Sequence, residues 1–309
     1  MLAVALVIVA SIAVGAGAER RWGEPARRAG RRALDLLIYG LLPVITFFTV
    51  SHVELTAGVG AGLAFGWAER LVPLVLAWAI GEHVLRLPRP ATGAIMLCVV
   101  LANTGFLGVP IVATMLGGDQ AIGQALTYDI AVSGPALLLV GFAIGAAYGT
   151  RAGDTPRERL SAFLTRNPAL FAFVLALVAP EALTPDWARE AMQVTVLAIA
   201  PLGFFALGVN LMQEQEEGAR IFPPPLDAPV AVVLGLRLLV APAVMLALST
   251  LVVRVPDAFL VQAAMSSGVN GLAVAHVFGL DLRIYSAALA WSTAIVLGGA
   301  TLVSIGGLA

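Results

Sequence analysis

The stretch LANTGFLGVPIVATMLGGD, residues 101 to 119, decides how this chain is read. Its surroundings are apolar enough to cross a membrane, yet Asn103, Thr104, Gly105, Gly108 and Pro110 stand at its middle. Each of these weakens or caps a helix, and a helix interrupted in hydrocarbon leaves backbone amides and carbonyls that protein or water must satisfy. The stretch therefore predicts a broken helix whose freed groups face something other than lipid.

The composition around it sets the class. The 309 residues are 60% hydrophobic and 12% charged, with a mean hydropathy of +0.94, where soluble domains carry about a quarter charged residues. Apolar runs long enough for a hydrocarbon core of about 30 Å recur along the chain, so an all-α integral membrane protein is implied rather than a barrel of short alternating strands. The single cysteine, Cys98, lies inside an apolar run. It gives no disulfide and no Cys/His spacing for a metal, and reads as a small apolar filler.

Ten runs qualify as spans: 1–18, 34–51, 58–82, 91–116, 121–148, 167–181, 188–212, 228–252, 258–279 and 284–306. Glu69 and Arg70 interrupt the third, and residues 53–66 are open to an alternative reading as a shallow interfacial helix. The first run ends in Ala16-Gly17-Ala18, which resembles a signal-peptide cleavage site, but no basic segment precedes it and six arginines follow at once. It reads as a retained helix.

Every basic residue is an arginine. If 19–33 faces the cytoplasm, the same side receives Arg86, Arg89, Arg151, Arg157, Arg159, Arg166, Arg220 and Arg283, and the other side only Arg189 and Arg254. The expectation is a cytoplasmic (inner) membrane protein with both termini outside. The arginine-rich first loop marks topology and attracts anionic lipid headgroups. Arg70 and Arg237 are left over, each inside a span.

The halves of the chain echo each other. NTGFLGVPIVATMLGGD (103–119) aligns with MSSGVNGLAVAHVFGLD (265–281), setting Gly117 against Gly279 and Asp119 against Asp281, and LPVITFFTV (42–50) pairs with APLGFFALGV (200–209). An odd number of spans separates each pair, so the halves 1–150 and 151–309 are expected to be inverted five-helix repeats with spans four and nine crossing. In the first break Pro110 suits the opening turn of the second half-helix, while Gly105 and Gly108 permit a tight path. Gly268, Asn270 and Gly271 stand in the same place in span nine. Half-helix N-termini at the midplane would seat an anion. Unwound carbonyls with Asn103 and Asn270 would instead hold a cation or a polar headgroup, and the plainer alternative is that Gly and Pro here only allow close helix packing and a kink.

At these residues the chain resembles the auxin efflux carrier family, which includes plant auxin exporters and bacterial malate or malonate permeases within the bile acid/auxin carrier superfamily. The resemblance rests on NTGFLGVP (103–110), AAMSSGVNGLAVAHVFGLD (263–281), the proline-containing second and seventh spans, and GLRLLVAPAV (235–244). It implies ten helices in two inverted bundles, substrate held where helices four and nine cross, and a scaffold beside a transport part that moves as an elevator. It points to Asn103, Gly105, Gly108, Pro110, Gly268 and Asn270. Ser266 and Ser267 occupy the place where the family pattern leads one to expect proline, leaving the second break to glycines.

Polar residues elsewhere in the spans complete the candidates. Asp129, with Tyr128 beside it in LTYDIAVSG (127–134), is acidic within span five, and a buried ionisable residue is a functional hypothesis by default. It is a candidate for carrying a proton or pairing with a coupling ion, with His276 as a second proton candidate. Arg237 is a candidate counter-charge for a substrate carboxylate or for Asp129. Gln193 and Asn210 read as polar contacts between helices.

The function expected is a secondary transporter of a small organic anion, auxin-like or malate-like, with no cofactor beyond a coupling proton or sodium. Sodium-coupled symport of the bile-acid type and a non-transporting receptor are the alternatives. No zinc-protease, Ser/His/Asp or phosphate-loop pattern supports an enzyme. Nucleic acid is not expected as a partner, lipids are, and a homodimer stays open.

Overall fold

The computed structural model describes residues 2–50, 57–180, 183, 185–216 and 223–305. The described residues are helical apart from connections and one isolated pair of extended residues. In chain order the helices are α1 (Leu2–Trp22), α2 (24–50), α3 (57–84), α4 (Arg89–Val100), α5 (Thr104–Met115), α6 (118–148), α7 (Pro156–Thr165), α8 (Pro168–Val178), α9 (Asp186–Glu216), α10 (Ala228–Leu251), α11 (Asp257–Ala263), α12 (Val269–Phe278) and α13 (Leu282–Ile305).

Among the described residues, four helices are long and apolar enough to cross a membrane: Gly60–Val84, Gln120–Tyr148, Ala228–Leu251 and Leu282–Ser304. Arg89–Val100, Thr104–Met115 and Val269–Phe278 are shorter apolar helices. The chain is thus a multi-pass helical membrane protein.

Span three follows the reading of 58–82 as one apolar helix rather than its alternative. Residues 57–66 belong to one helix that continues through Glu69 and Arg70, both completely buried, so the interfacial alternative fails for that part; 53–56 lie outside the described residues. The two charges do not break the helix because they face protein, where partners replace water.

Helix α1 lies along α9 with very little between them. A Cβ added at Gly15 would collide with the Phe205 carbonyl, and one at Gly208 with the Ile12 carbonyl. Small residues let the backbones close in, a common mode of helix association in lipid. Helices α1, α2, α8 and α9 pack largely on one another, while α3 packs against α4 and α10, and α6 against α5 and α11.

Several helices contain a wider π-helical turn, among them Thr104–Gly108 in α5, Asp129–Ser133 in α6 and Leu236–Val240 in α10. Such turns often mark functional positions, because they re-aim side chains that a regular helix would direct elsewhere. Here they carry Thr104, Asp129, Ser133 and Arg237.

Candidate functional site

Two apolar segments are interrupted, and the interruptions meet. The chain is extended at 101–103 between α4 and α5, and at 265–268 between α11 and α12. Ala102 pairs antiparallel with Ser267; the Asn103 amide donates to the Ser266 carbonyl at 2.8 Å and the Gly268 amide to the Leu101 carbonyl at 2.7 Å. Each break thus satisfies backbone groups of the other, which answers the hydrocarbon problem posed by residues 101–119. Close approach explains Gly268: a Cβ there would stand 3.2 Å from the Ala102 carbonyl oxygen.

The second break is abrupt without a proline. The Ser267 amide donates to Ser292 Oγ at 3.2 Å, and the Tyr285 hydroxyl donates to the Gly268 carbonyl at 2.6 Å. Tertiary hydrogen bonds hold the extended path where a proline would have forced it. The first break begins earlier than expected. Its second half-helix starts at Thr104, with the Gly108 amide donating to the Asn103 carbonyl at 3.0 Å across the π turn. Pro110 follows that turn and is not in the first turn of the half-helix; this corrects the sequence expectation. The aligned Gly117 and Gly279 both adopt positive φ, 64° and 74°, where a glycine is needed. The side chain of Asp119 is outside the described residues.

On the amide side of the breaks lies a cavity of about 120 Å³. Asn103, Thr104, Gly105, Gly268 and Asn270 line it from the breaks, and Asp129 and Ser133 from α6. Leu42, Ile45 and Thr46 of α2 and Phe173 of α8 form the wall opposite. The N-terminal ends of α5 and α12 therefore open into it. Asn103 is 2% exposed, and its Nδ2 has no partner among the described residues. An unpaired buried amide donor costs about 1–3 kcal/mol until an acceptor arrives.

Asp129 stands at the start of α5. It accepts from the Thr104 hydroxyl, which lies 2.7 Å from Ser133 Oγ, and a Cβ on Gly105 would come within 3.2 Å of Asp129 Oδ2. Gly105 leaves room for this carboxylate. Gly108 instead leaves room for the Gln262 side chain, which a Cβ would strike.

On the carbonyl side of the breaks the protein supplies its own cations. Arg70 Nη1 donates to the Val100 carbonyl at 2.7 Å. Arg237 donates to the carbonyls of Met265 at 3.0 Å, Val99 at 3.2 Å and Ala263. Both arginines are fully buried, as is Glu69, whose Oε2 lies 3.4 Å from Arg237 Nη1 and whose Oε1 lies 3.8 Å from Arg70 Nε. The Tyr128 hydroxyl donates to Glu69 Oε1 at 2.7 Å. The clasp closes the C-terminal ends of α4 and α11, where orphan carbonyls and the negative end of the dipole collect.

The structure thus brings Asn103, Thr104, Gly105, Gly268, Asn270 and Asp129 to one cavity, and places Gly108, Pro110, Tyr128, Arg237 and His276 outside its lining. Arg237 is paired with Glu69 rather than Asp129. His276 is in the last turn of α12, where its carbonyl accepts from Arg151 at 2.8 Å, roughly 9 Å along the helix from Asn270. The Asn210 side chain donates to the Ala206 carbonyl of its own helix at 3.0 Å, while the Gln193 side chain is outside the described residues. Among the described residues no cluster of His, Cys, Asp and Glu has the makings of a metal site.

The sequence reading noted Glu69 and Arg70 without giving them a place at the site, and it missed Ser133. The first two were visible as charges in an apolar run, the usual signal for intramembrane function. Ser133 follows Asp129 by four residues, the spacing of one helix face.

Comparison with known proteins bears on the class of the chain. Residues 164–303 match the family described as membrane transport protein. The resemblance to the auxin efflux carriers holds. Over 275 residues the chain is also 22% identical to the uncharacterized transporter MJ1031 of Methanocaldococcus jannaschii, a similarity spanning 82% of each chain. Likeness to this carrier family supports membrane transport in general, and a non-enzymatic role for the chain.

Proposed function

We propose that this protein is a secondary transporter that carries a small organic anion through the cavity at the paired breaks by alternating access. The unpartnered Asn103 amide is the observation that carries this reading. A buried N–H donor beside two half-helix N-termini asks for an anionic acceptor, and a carboxylate oxygen meets both needs. The apolar wall of Leu42, Ile45 and Phe173 suits the carbon skeleton of such an acid.

Charge balance then favours a coupled proton. Arg70 and Arg237 offset Glu69 and Asp129, so an added carboxylate leaves one uncompensated negative charge unless Asp129 takes up a proton. Packing favours the moving parts. Helices α1, α2, α8 and α9 form one group and the breaks with their clasp belong to another, with the cavity between them. The ten-span inverted-repeat plan, with α4–α5 and α11–α12 as crossing helices four and nine, completes the reading, as do an inner-membrane location and termini outside.

The test is uptake of labelled indole-acetic acid and malate into proteoliposomes, with and without a pH gradient and sodium. Uptake driven by the pH gradient, and reduced at least tenfold by Asn103→Ala at unchanged melting temperature, is the expected result. Uptake that survives Asn103→Ala removes the site from the breaks. Uptake that follows sodium instead of pH moves the protein to the sodium-coupled class, and ligand binding without flux makes it a receptor.

A further inference from the structure

Ser133 lines the cavity, yet it also stands between two charged groups. Arg70 Nη2 donates to Ser133 Oγ at 2.7 Å, Thr104 Oγ1 lies 2.7 Å from that same oxygen, and Thr104 Oγ1 is bonded to Asp129 Oδ1. Counting protons fixes the direction of the chain. A guanidinium can only donate and an ionised carboxylate can only accept, while each hydroxyl has one proton to give. Ser133 therefore accepts from Arg70 and donates to Thr104, and Thr104 in turn donates to Asp129.

We propose that Arg70 and Ser133 are positioning residues that hold the Thr104 hydroxyl as a fixed donor to Asp129 Oδ1, so that the proton coupled to transport is taken up on Oδ2. The inference rests on the transport reading for its purpose, but its geometry stands apart from it. While Asp129 is ionised the Thr104 proton occupies Oδ1, which leaves Oδ2 as the oxygen open to an incoming proton. The protonated carboxyl then has one free hydroxyl, on the oxygen that faces Gly105. That hydroxyl is a donor for an anion in the cavity; without the proton, the same oxygen repels it.

The surroundings of Asp129 leave few competing influences. From α3 the charge acting on it is that of Arg70, with Glu69 and Arg237 joined to Arg70 in the clasp. From its own helix Tyr128 turns its hydroxyl to Glu69. From α5 comes Thr104, and across the cavity stand the neutral Thr46 of α2 and Asn270 of α12. A change at Ser133 therefore reaches Asp129 through the relay.

The experiment is an infrared pH titration of the carboxylic-acid carbonyl band of the full-length protein in lipid vesicles, with Asp129→Asn used to identify the band. Removing a donor to the ionised form favours the protonated form, so the midpoint rises. Ser133→Ala is expected to raise it by about one pH unit, a tenfold gain in proton affinity, and Thr104→Val by more. Ser133→Thr keeps the hydroxyl and restores the original midpoint. A midpoint unmoved by Ser133→Ala in a folded protein overturns the relay, as does a shift that Ser133→Thr fails to restore. The titration needs no substrate. A shifted midpoint in a protein that takes up neither acid supports the relay and counts against the transport reading, whereas normal proton-driven uptake with an unmoved midpoint overturns the relay alone.

Discussion

The two sides of the paired breaks are built to opposite rules. On the carbonyl side, Arg70 and Arg237 cover the ends of α4 and α11, and Glu69 and Tyr128 tie the cations together, all of them fully buried. On the amide side, the ends of α5 and α12 open into a cavity, and an asparagine amide is left without a partner among the described residues. Both sides present orphan backbone groups of a broken helix to the protein interior. One set is closed permanently by side chains of the chain itself. The other faces the cavity, where the Asp129 carboxylate accepts from the Thr104 hydroxyl. The difference teaches that a helix break in a membrane is both a structural debt and an opportunity, and that this fold settles the first at one end to keep the second at the other.

The comparison can be broken most severely at the clasp. Arg237→Met removes the cation that bonds three carbonyls and faces Glu69, leaving a buried carboxylate short of a counter-charge. A loss of about 3–5 kcal/mol is expected, read as a large drop in melting temperature in detergent. A protein as stable as the wild type would show that the arginine is not what closes this end. Tyr128→Phe takes away one donor to Glu69 and keeps the ring, so a loss of about 1.5–3 kcal/mol is expected by the same measurement. An unchanged melting temperature would mean that the two arginines satisfy Glu69 without help.

Gly105→Ala probes the open side and is expected to do the least to stability, less than about 1 kcal/mol, because the methyl meets a cavity-lining carboxylate rather than backbone. It should nonetheless lower uptake several-fold by crowding Asp129 Oδ2. If stability falls steeply while uptake per folded protein is kept, the open side is a packed structural contact and the contrast between the two sides collapses.

The peripheral arginines extend the first rule. Arg89 donates to the Ala147 carbonyl at 2.7 Å, Arg151 to that of His276 at 2.8 Å and Arg166 to that of Val277 at 3.2 Å. These carbonyls belong to the last turns of α6 and α12. Residues that charge counting treats as topology markers also act as C-terminal caps for neighbouring helices, since a guanidinium serves either purpose.

Much of this was legible in the chain. Asn103, Gly105 and Gly268 point to a break because helix-weakening residues gather there inside an apolar run and recur at the matching place in the other half, and Asp129 announces itself because a carboxylate in hydrocarbon is costly. Gly117 and Gly279 could be paired by spacing alone. Other parts were hidden for physical reasons. Pro110 looked like a helix start because its missing amide suits one, but the π turn at Thr104–Gly108 starts the helix earlier, and such turns leave no clear trace in sequence. Arg237 could have met any acid in the chain. Periodicity reports which face of a helix a residue occupies, not which helix lies opposite.

The sequence by itself determined the apolar helical character, the places where two helices fail, and the polar residues kept there, because hydrocarbon penalises unpaired backbone and charge whatever the fold. Only the tertiary structure decided that the two failures bond to each other, that Glu69 joins Arg70 and Arg237 behind them, and that Asn103 and Asp129 share a cavity in front. Those pairings link residues as far apart as Glu69 and Arg237, 168 positions along the chain. Contacts at such separations are fixed by how helices pack, and no local preference encodes them.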